Sequence, residues 1–131
     1  MREHLYRGKT KDGRWVFGFY INYSAFEEGV SDSTEIIRHS IKRYDGGDIE
    51  DIDPKSVGEY TGLKDKNGVK IFEGDILEWG HHKHICRVKW LDDTARFLYI
   101  TTDKRLIYPG EAKACEVIGN IHDNGYLINA D

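Results

Sequence analysis

The chain has 131 residues, of which 39% are hydrophobic and 32% charged, and its 19 Lys and Arg against 23 Asp and Glu give a net charge of −4. This length and balance fit one globular domain, residues 1–131, and argue against a disordered or fibrous protein. No run approaches the roughly 18 apolar residues of a membrane helix, and the first residues lack the apolar stretch of a secretory signal. We therefore expect a cytoplasmic protein that does not contact a membrane.

The composition favours β-strands over helices. Eight Tyr, five Phe and three Trp accompany many β-branched residues, and both kinds pack well on a pleated surface. Fourteen Gly against two Pro indicate turns that are made mainly with Gly, Asn and Asp. The two cysteines, Cys86 and Cys115, are expected to be buried thiols, because a reducing compartment disfavours a disulfide.

The first predicted element is a β-hairpin. Asp12-Gly13 is a two-residue turn signal, so residues 5–9 should pair with the strand that follows the turn. Strict alternation over residues 14–23 defines that second strand. The side chains on its bulkier face are predicted to point into the core: Trp15, Phe17, Phe19 and Ile21.

Residues 24–57 are interpreted as a variable insertion or loop region within the domain. Residues 34–44 fit a short helix, because their apolar side chains have helical spacing, or a strand that leads into the glycine turn at residues 45–47. We favour the strand. The acidic stretch over residues 45–53 is interpreted as an exposed loop or sheet edge, and its spacing does not match a calcium-binding loop.

The second half of the chain predicts two more hairpins and a final strand, at residues 60–63 with 69–72, 85–91 with 96–102, and 114–121. Together these elements predict an all-β fold, a small, partly open barrel of about 6 to 10 short antiparallel strands with at most one or two short helices. Besides the four residues of the first hairpin, the core is expected to contain Ile71, Phe72, Ile76, Val88, Trp90, Phe97, Tyr99, Val117 and Ile121.

The stretch YTGLKDKNGVKIFEGDIL, residues 60–77, resembles the signature of the YopX family of small proteins encoded by phages and prophages of Gram-positive bacteria. The segments MREHLYRGKTKDGRWVFGFYI, VKWLDDTARFLY and EVIGNIHDNGYLI also resemble that family, so the similarity spans nearly the whole chain. The resemblance implies a mostly β domain of the bacterial cytoplasm with no established activity and no catalytic residues. We interpret the signature as structural, because turn chemistry accounts for every Gly, Asn and Asp among its residues Tyr60, Gly62, Asp65, Asn67, Gly68, Phe72, Gly74 and Asp75.

A metal site is the weakest functional hypothesis. On a strand, His82, His84 and Cys86 would share a face, and imidazole with thiolate suits zinc. The chain has no paired ligand motif such as C-x-x-C, and the same face continues into Val88 and Trp90, which favours a core position for Cys86. We therefore expect no metal and no cofactor. Motifs for nucleotide binding, zincins and serine hydrolases are also missing from the sequence, so a metal-dependent enzyme ranks third among the functions.

The preferred function is a non-enzymatic interaction module that binds a protein of the host or the phage through a sheet edge or an aromatic face. Such a protein can also self-associate through the unpaired edges of its sheets. The alternative is a nucleic-acid-binding β-barrel that uses the basic, aromatic residues of the N-terminal hairpin, Arg7, Lys9, Lys11, Arg14 and Trp15. The net charge of −4 argues against it, because phosphate binding favours a basic domain.

Overall fold

The computed structural model describes residues 4–26, 35–80 and 84–128. None of the helices in these residues has the length and apolarity that crossing a membrane requires. The described residues include two short 3-10 helices, Pro109–Ala114 and Gly125–Leu127. The strands are β1 (Tyr6–Lys9), β2 (Trp15–Phe26), β3 (Glu35–Arg43), β4 (Ile49–Asp51), β5 (Asp53–Lys64), β6 (Lys70–Phe72), β7 (Asp75–Trp79), β8 (His84–Leu91), β9 (Arg96–Thr101), β10 (Leu106–Ile107) and β11 (Cys115–Asn120).

The chain divides into two compact units, residues 4–59, the N-terminal unit, and the residues from Tyr60 onward, the C-terminal unit. The strands of the N-terminal unit pair in the order β4-β3-β2-β1-β5. In the C-terminal unit the order is β10-β9-β8-β7-β11, and the last part of β5 pairs with β6. The predicted all-β fold of short antiparallel strands is confirmed, and over the described residues the sheets form no closed barrel. That residues 1–131 act as a single domain stays a prediction.

The strand interpretation of residues 34–44 is correct for the part that the structure describes. Strand β3 pairs with β2 over nine residues, from Glu35 opposite Phe26 to Arg43 opposite Gly18. The chain then turns and returns as β4, which pairs with β3 at Ile41. Cross-strand pairing therefore outweighs the helical spacing of the apolar side chains, since a strand with partners on both sides satisfies its backbone groups.

The core of the N-terminal unit lies on the face of β2 opposite to the predicted one. Val16 is 4% exposed and packs with the buried Ile41 and Ile52, whereas Phe17 and Phe19 are 37% and 58% exposed. The alternation of β2 correctly predicts two faces, but alternation alone does not say which face is covered. The core assignment was wrong for Phe17 and Phe19, and the other two predicted core residues of this strand, Trp15 and Ile21, are half-buried.

The predicted core of the C-terminal unit is largely correct. Ile71, Phe72, Ile76, Val88 and Tyr99 are buried. The four remaining predicted residues are half-buried, and two of them pack against the buried cluster: Trp90, Phe97, Val117 and Ile121.

Cys86 and Cys115 are both free thiols and both fully buried in the same core cluster. The two thiols hydrogen-bond to each other, and this contact together with burial raises the pKa of Cys86. Cys86 is therefore protonated at neutral pH and behaves as a small apolar side chain.

One turn design occurs in both units. In the Asp12 turn, residues 10–14, the Thr10 hydroxyl donates to the Asp12 carboxylate and accepts the Arg14 N–H at 3.1 Å. In the Asp103 turn, residues 101–105, the Thr101 hydroxyl donates to the Asp103 carboxylate and accepts the Arg105 N–H at 2.9 Å. In each turn the arginine Nε also donates to the aspartate, at 2.8 Å.

Candidate functional site

The outward side of the N-terminal sheet carries a row of aromatic side chains. Because residues directly opposite on paired strands share a face, Trp15 lies beside Lys9 and Phe17 lies beside Arg7. On the other side of β2, Phe19 lies opposite Lys42, which in turn lies opposite Ile49 on β4. We call this surface the aromatic face, and it consists of Arg7, Lys9, Trp15, Phe17, Phe19, Lys42 and Ile49.

The aromatic face is apolar at its centre and open to solvent. Phe19 is 58% exposed and Ile49 is 53% exposed. A cleft of about 400 Å³ lies at one end of the face, lined among others by Trp15, Phe17 and Tyr44. The face thus carries a patch of three exposed apolar side chains, Phe17, Phe19 and Ile49, next to a cleft. Exposed apolar patches of this kind mark interaction sites in proteins.

Two cations cover the Trp15 ring. The Arg7 guanidinium lies 4.8 Å from the ring centroid and the Lys9 ammonium lies 5.9 Å from it, both within the range of a cation–π contact. Arg7 is only 8% exposed. The stacking therefore fixes the Trp15 ring and leaves Arg7 little surface for a phosphate.

The structure brings together three of the five residues proposed for nucleic-acid binding. Arg7, Lys9 and Trp15 share the aromatic face, but Arg14 ion-pairs with Asp12 at 2.8 Å and with Glu50 at 2.6 Å. These two carboxylates raise the pKa of Arg14 and neutralise its charge locally. The remaining residue, Lys11, lies in the exposed turn between β1 and β2.

Arginines neutralise much of the acidic stretch at residues 45–53. Arg43 donates to Asp45 at 2.6 Å, and its NH1 group lies 3.6 Å from Glu50. Arg38 donates to Asp51 at 2.9 Å, and Ser40 donates to the same carboxylate. The hydrogen bond from Arg43 lowers the pKa of Asp45. These contacts join β3 to the turn and to β4, which gives these carboxylates a structural role.

The proposed zinc ligands do not form a cluster in the described part of the chain. His82 lies outside the described residues. His84 is half-buried, with its ring 5.7 Å from that of Trp79, and Cys86 is fully buried in the core. No group of three or more His, Cys, Asp or Glu side chains that could hold a metal occurs among the residues that the structure describes.

Asp65 organises the first half of the signature segment. Its carboxylate accepts the backbone N–H groups of Asn67 at 2.8 Å, of Val69 at 2.9 Å and of Val117 on β11 at 2.9 Å. Burial raises the pKa of Asp65, but these three donors outweigh it and hold the pKa below its ordinary value. Gly68 has a φ of +80°, a conformation that a side chain would strain.

Asp75 has a similar role in the second half of the signature. It is 1% exposed, and its carboxylate accepts the Phe72 N–H at 2.7 Å across the turn between β6 and β7. Tyr60 and Phe72 lie opposite each other on β5 and β6, with their rings 5.6 Å apart. Like Gly68, the other two glycines of the signature have left-handed backbones: Gly62 and Gly74. These contacts support the structural interpretation of the signature, which stays a prediction.

The family model described as YopX protein matches residues 5–129, nearly the whole chain. The chain belongs to the YopX family. A crystal structure of protein EF1440 from Enterococcus faecalis resembles this YopX protein with a TM-score of 0.60 and 24% sequence identity, covering 98% of this chain and 99% of the other. That similarity extends to the fold alone. No curated protein matches the chain.

Sequence reasoning missed Phe17, Phe19 and Ile49 of this YopX protein as surface residues. A signal was nevertheless present in the sequence. The Asp12-Gly13 turn places Lys9 opposite Trp15 and therefore Arg7 opposite Phe17. Two cations beside two aromatic residues on one sheet face indicate that this face is directed away from the apolar core.

Proposed function

We propose that this YopX protein is a non-enzymatic interaction module that binds a protein of the bacterial host or of a phage in the cytoplasm. The observation that carries the proposal is the exposure of Phe17, Phe19 and Ile49 on one sheet face. Removing apolar surface from water gains about 25 cal/mol for each Å² that is covered. A partner that covers the aromatic face would recover this free energy.

The chemistry of the aromatic face matches that of protein interfaces. Aromatic residues and arginine are enriched at interface cores, and charged residues surround them. Phe19 lies at the centre, with Lys42 beside it. The cleft of about 400 Å³ next to Phe17 can accept one large side chain of a partner, which is the usual form of an energetic hot spot.

The proposal is tested by capture of partners from bacterial lysates with and without phage infection. Wild-type protein is compared with Phe19→Ser, which removes the most exposed aromatic residue of the face, and with Tyr126→Ser. Tyr126 is 72% exposed and lies in the C-terminal unit, so it is a matched aromatic control. Thermal unfolding of all three proteins checks their folding.

We expect a protein that binds wild type and Tyr126→Ser and is lost with Phe19→Ser. Capture that is equal for all three proteins, or no capture from either lysate, contradicts the proposal. The mass of the purified protein in solution identifies the case in which the partner is a second copy of the chain.

Nucleic-acid binding is the second candidate, because Arg7, Lys9 and Trp15 lie together on the aromatic face. Two features weigh against it. Arg7 already covers the Trp15 ring on which a base would stack, and it is 8% exposed. We therefore expect negligible affinity for single-stranded or duplex DNA at moderate salt. A salt-sensitive gel shift that disappears in the Arg7→Ala, Lys9→Ala double variant would favour nucleic acid over protein as the ligand.

A further inference from the structure

A groove of about 600 Å³ opens on the C-terminal unit. One wall is an aromatic pair, Trp90 and Phe97, whose ring centroids are 4.8 Å apart and whose planes are inclined at 63°. Tyr99, which is buried, also lines the groove, and two exposed side chains of the β10 region complete it: Leu106 at 61% and Tyr108 at 78% exposure. The groove has the volume and the apolar lining of sites that bind small molecules.

The lining contains one cation and no acid. Arg96 is the only charged residue among the described residues that line the groove. Its guanidinium forms no ion pair with the acidic residues that the structure describes. The acids of the neighbouring turn are Asp92 and Asp93, and the Asp92 carboxylate accepts the Trp90 indole N–H at 2.6 Å. The Asp92 carboxylate keeps its charge but lies outside the lining, so among the lining side chains an anion would meet one positive charge and no negative one.

Two of the three hydroxyl groups that line the groove already have hydrogen-bond partners in the protein. Thr61 and Tyr99 hydrogen-bond to each other, and the Thr61 hydroxyl donates to the Ile71 carbonyl at 2.8 Å. The Trp90 N–H is occupied by Asp92. Apart from Arg96 and the exposed Tyr108 hydroxyl, the lining side chains therefore offer few polar groups to a polar, uncharged ligand. The groove is suited instead to an apolar body with one charged end.

We propose that the groove binds a small amphipathic anion, a flat apolar molecule that carries one acidic group. The apolar body lies against Trp90 and Phe97, and the acidic group accepts hydrogen bonds from Arg96, a charge-assisted contact. The site is formed by the C-terminal unit alone and is independent of the interaction module proposed above.

The experiment uses two dyes that differ in the acidic group. 8-Anilinonaphthalene-1-sulfonate carries a sulfonate on an aromatic body, and N-phenyl-1-naphthylamine has the same rings without the charge. Both are titrated by fluorescence into the folded full-length protein. The variants are Arg96→Gln, which removes the cation, and Lys113→Gln, which removes the same charge from an exposed residue of this unit that does not line the groove.

We expect Arg96→Gln to weaken binding of the sulfonate about fivefold, the effect of one partly exposed charged contact, and to leave the neutral dye unchanged. Lys113→Gln should change neither. Tyr108→Ala should weaken both dyes, because it removes part of the apolar lining. Equal affinity of wild type and Arg96→Gln for the sulfonate would overturn the proposal, and so would loss of dye binding in Phe19→Ser, which lies on the aromatic face.

Discussion

The Asp12 turn and the Asp103 turn share their hydrogen bonds and differ in the residue at their left-handed position. That residue is Gly13 in the first turn, with a φ of +85°, and Lys104 in the second, with a φ of +66°. Its N–H donates to the threonine carbonyl in both turns, at 3.0 Å and 2.9 Å. The difference teaches that the threonine hydroxyl and the aspartate carboxylate define this turn, and that glycine only makes it less strained.

Each of the two turns also directly precedes a strand that contributes to one of the two proposed sites. Arg14 of the first turn directly precedes Trp15 on β2. Arg105 of the second turn directly precedes Leu106 on β10, which lines the groove. Each exposed apolar surface therefore begins at a point where side-chain hydrogen bonds fix the backbone.

The largest loss of stability is expected at Asp65, whose carboxylate organises a third turn. Asp65 is buried, whereas the aspartates of the other two turns are exposed. Asp65→Ala removes an acceptor used by three backbone N–H groups, on Asn67, Val69 and Val117. We expect a loss of about 3 kcal/mol in the free energy of unfolding, because the N–H groups lose a charged acceptor in a buried place. Urea unfolding measures it, with Asp65→Asn as the control that keeps one oxygen. A loss no greater than that of Asp103→Ala would contradict the distinction between buried and exposed turn carboxylates.

The next effect tests whether the two turns are equivalent. Thr10→Val and Thr101→Val keep the branched shape and remove the hydroxyl, and both threonines are buried, at 8% and 6% exposure. Each substitution should lower the free energy of unfolding by about 1–2 kcal/mol, because an N–H and a carboxylate lose their partner. Unfolding curves of the two variants should shift alike. A large effect at one threonine and none at the other would break the comparison.

Exchange of the left-handed residues should give smaller effects of opposite sign. Gly13→Ala places a methyl group in a strained backbone and should destabilise the protein by about 1 kcal/mol. Lys104→Gly relieves that strain and should stabilise the protein by up to about 1 kcal/mol. Thermal unfolding of both variants checks the signs. Destabilisation by Lys104→Gly would contradict this prediction. It would show that the lysine side chain stabilises the folded state by more free energy than its left-handed backbone costs.

The smallest effect is expected on the pH dependence of stability. The Thr101 hydroxyl and Arg105 lower the pKa of Asp103 to about 2, and Thr10 and Arg14 lower the pKa of Asp12 in the same way. In the unfolded chain the pKa is about 3.9. Since the folded state binds the proton more weakly, this contribution to stability is complete above about pH 4 and is lost as pH falls toward 2.

Asp103→Asn should therefore flatten the decline in stability between pH 4 and pH 2. Urea unfolding of wild type and variant at pH 5, 4, 3 and 2 measures this decline. Parallel curves for the two proteins would show that Asp103 titrates alike in the folded and unfolded chains.

The sequence predicts elements whose turns have strong local signals. Asp12-Gly13 and Asn67-Gly68 correctly predict two hairpins, because Asn, Asp and Gly tolerate left-handed backbones. The Asp103 turn escaped prediction, since Lys104 is not a turn residue by composition. Both turns share the spacing Thr-x-Asp-x-Arg, and a search for this spacing would have predicted the Asp103 turn.

The aromatic face could not be predicted from the alternation of β2. Alternation places Phe17 and Phe19 together but assigns no side to the core. The buried side is set by Ile41 on β3, which pairs with β2, and by Ile52, which lies between β4 and β5. These two residues meet Val16 only in the folded sheet. The groove was equally hidden, because Trp90, Phe97 and Leu106 come together only through the pairing of β8, β9 and β10.

The most direct test of the central claim, that the aromatic face binds a protein, is photo-crosslinking in cells. The photoreactive residue p-benzoylphenylalanine replaces Phe19 in one protein and Tyr126 in another, both at exposed aromatic positions. We predict a covalent adduct with a protein partner on irradiation at position 19 and none at position 126. Adducts at position 126 alone, or an adduct at position 19 with nucleic acid only, would contradict the claim.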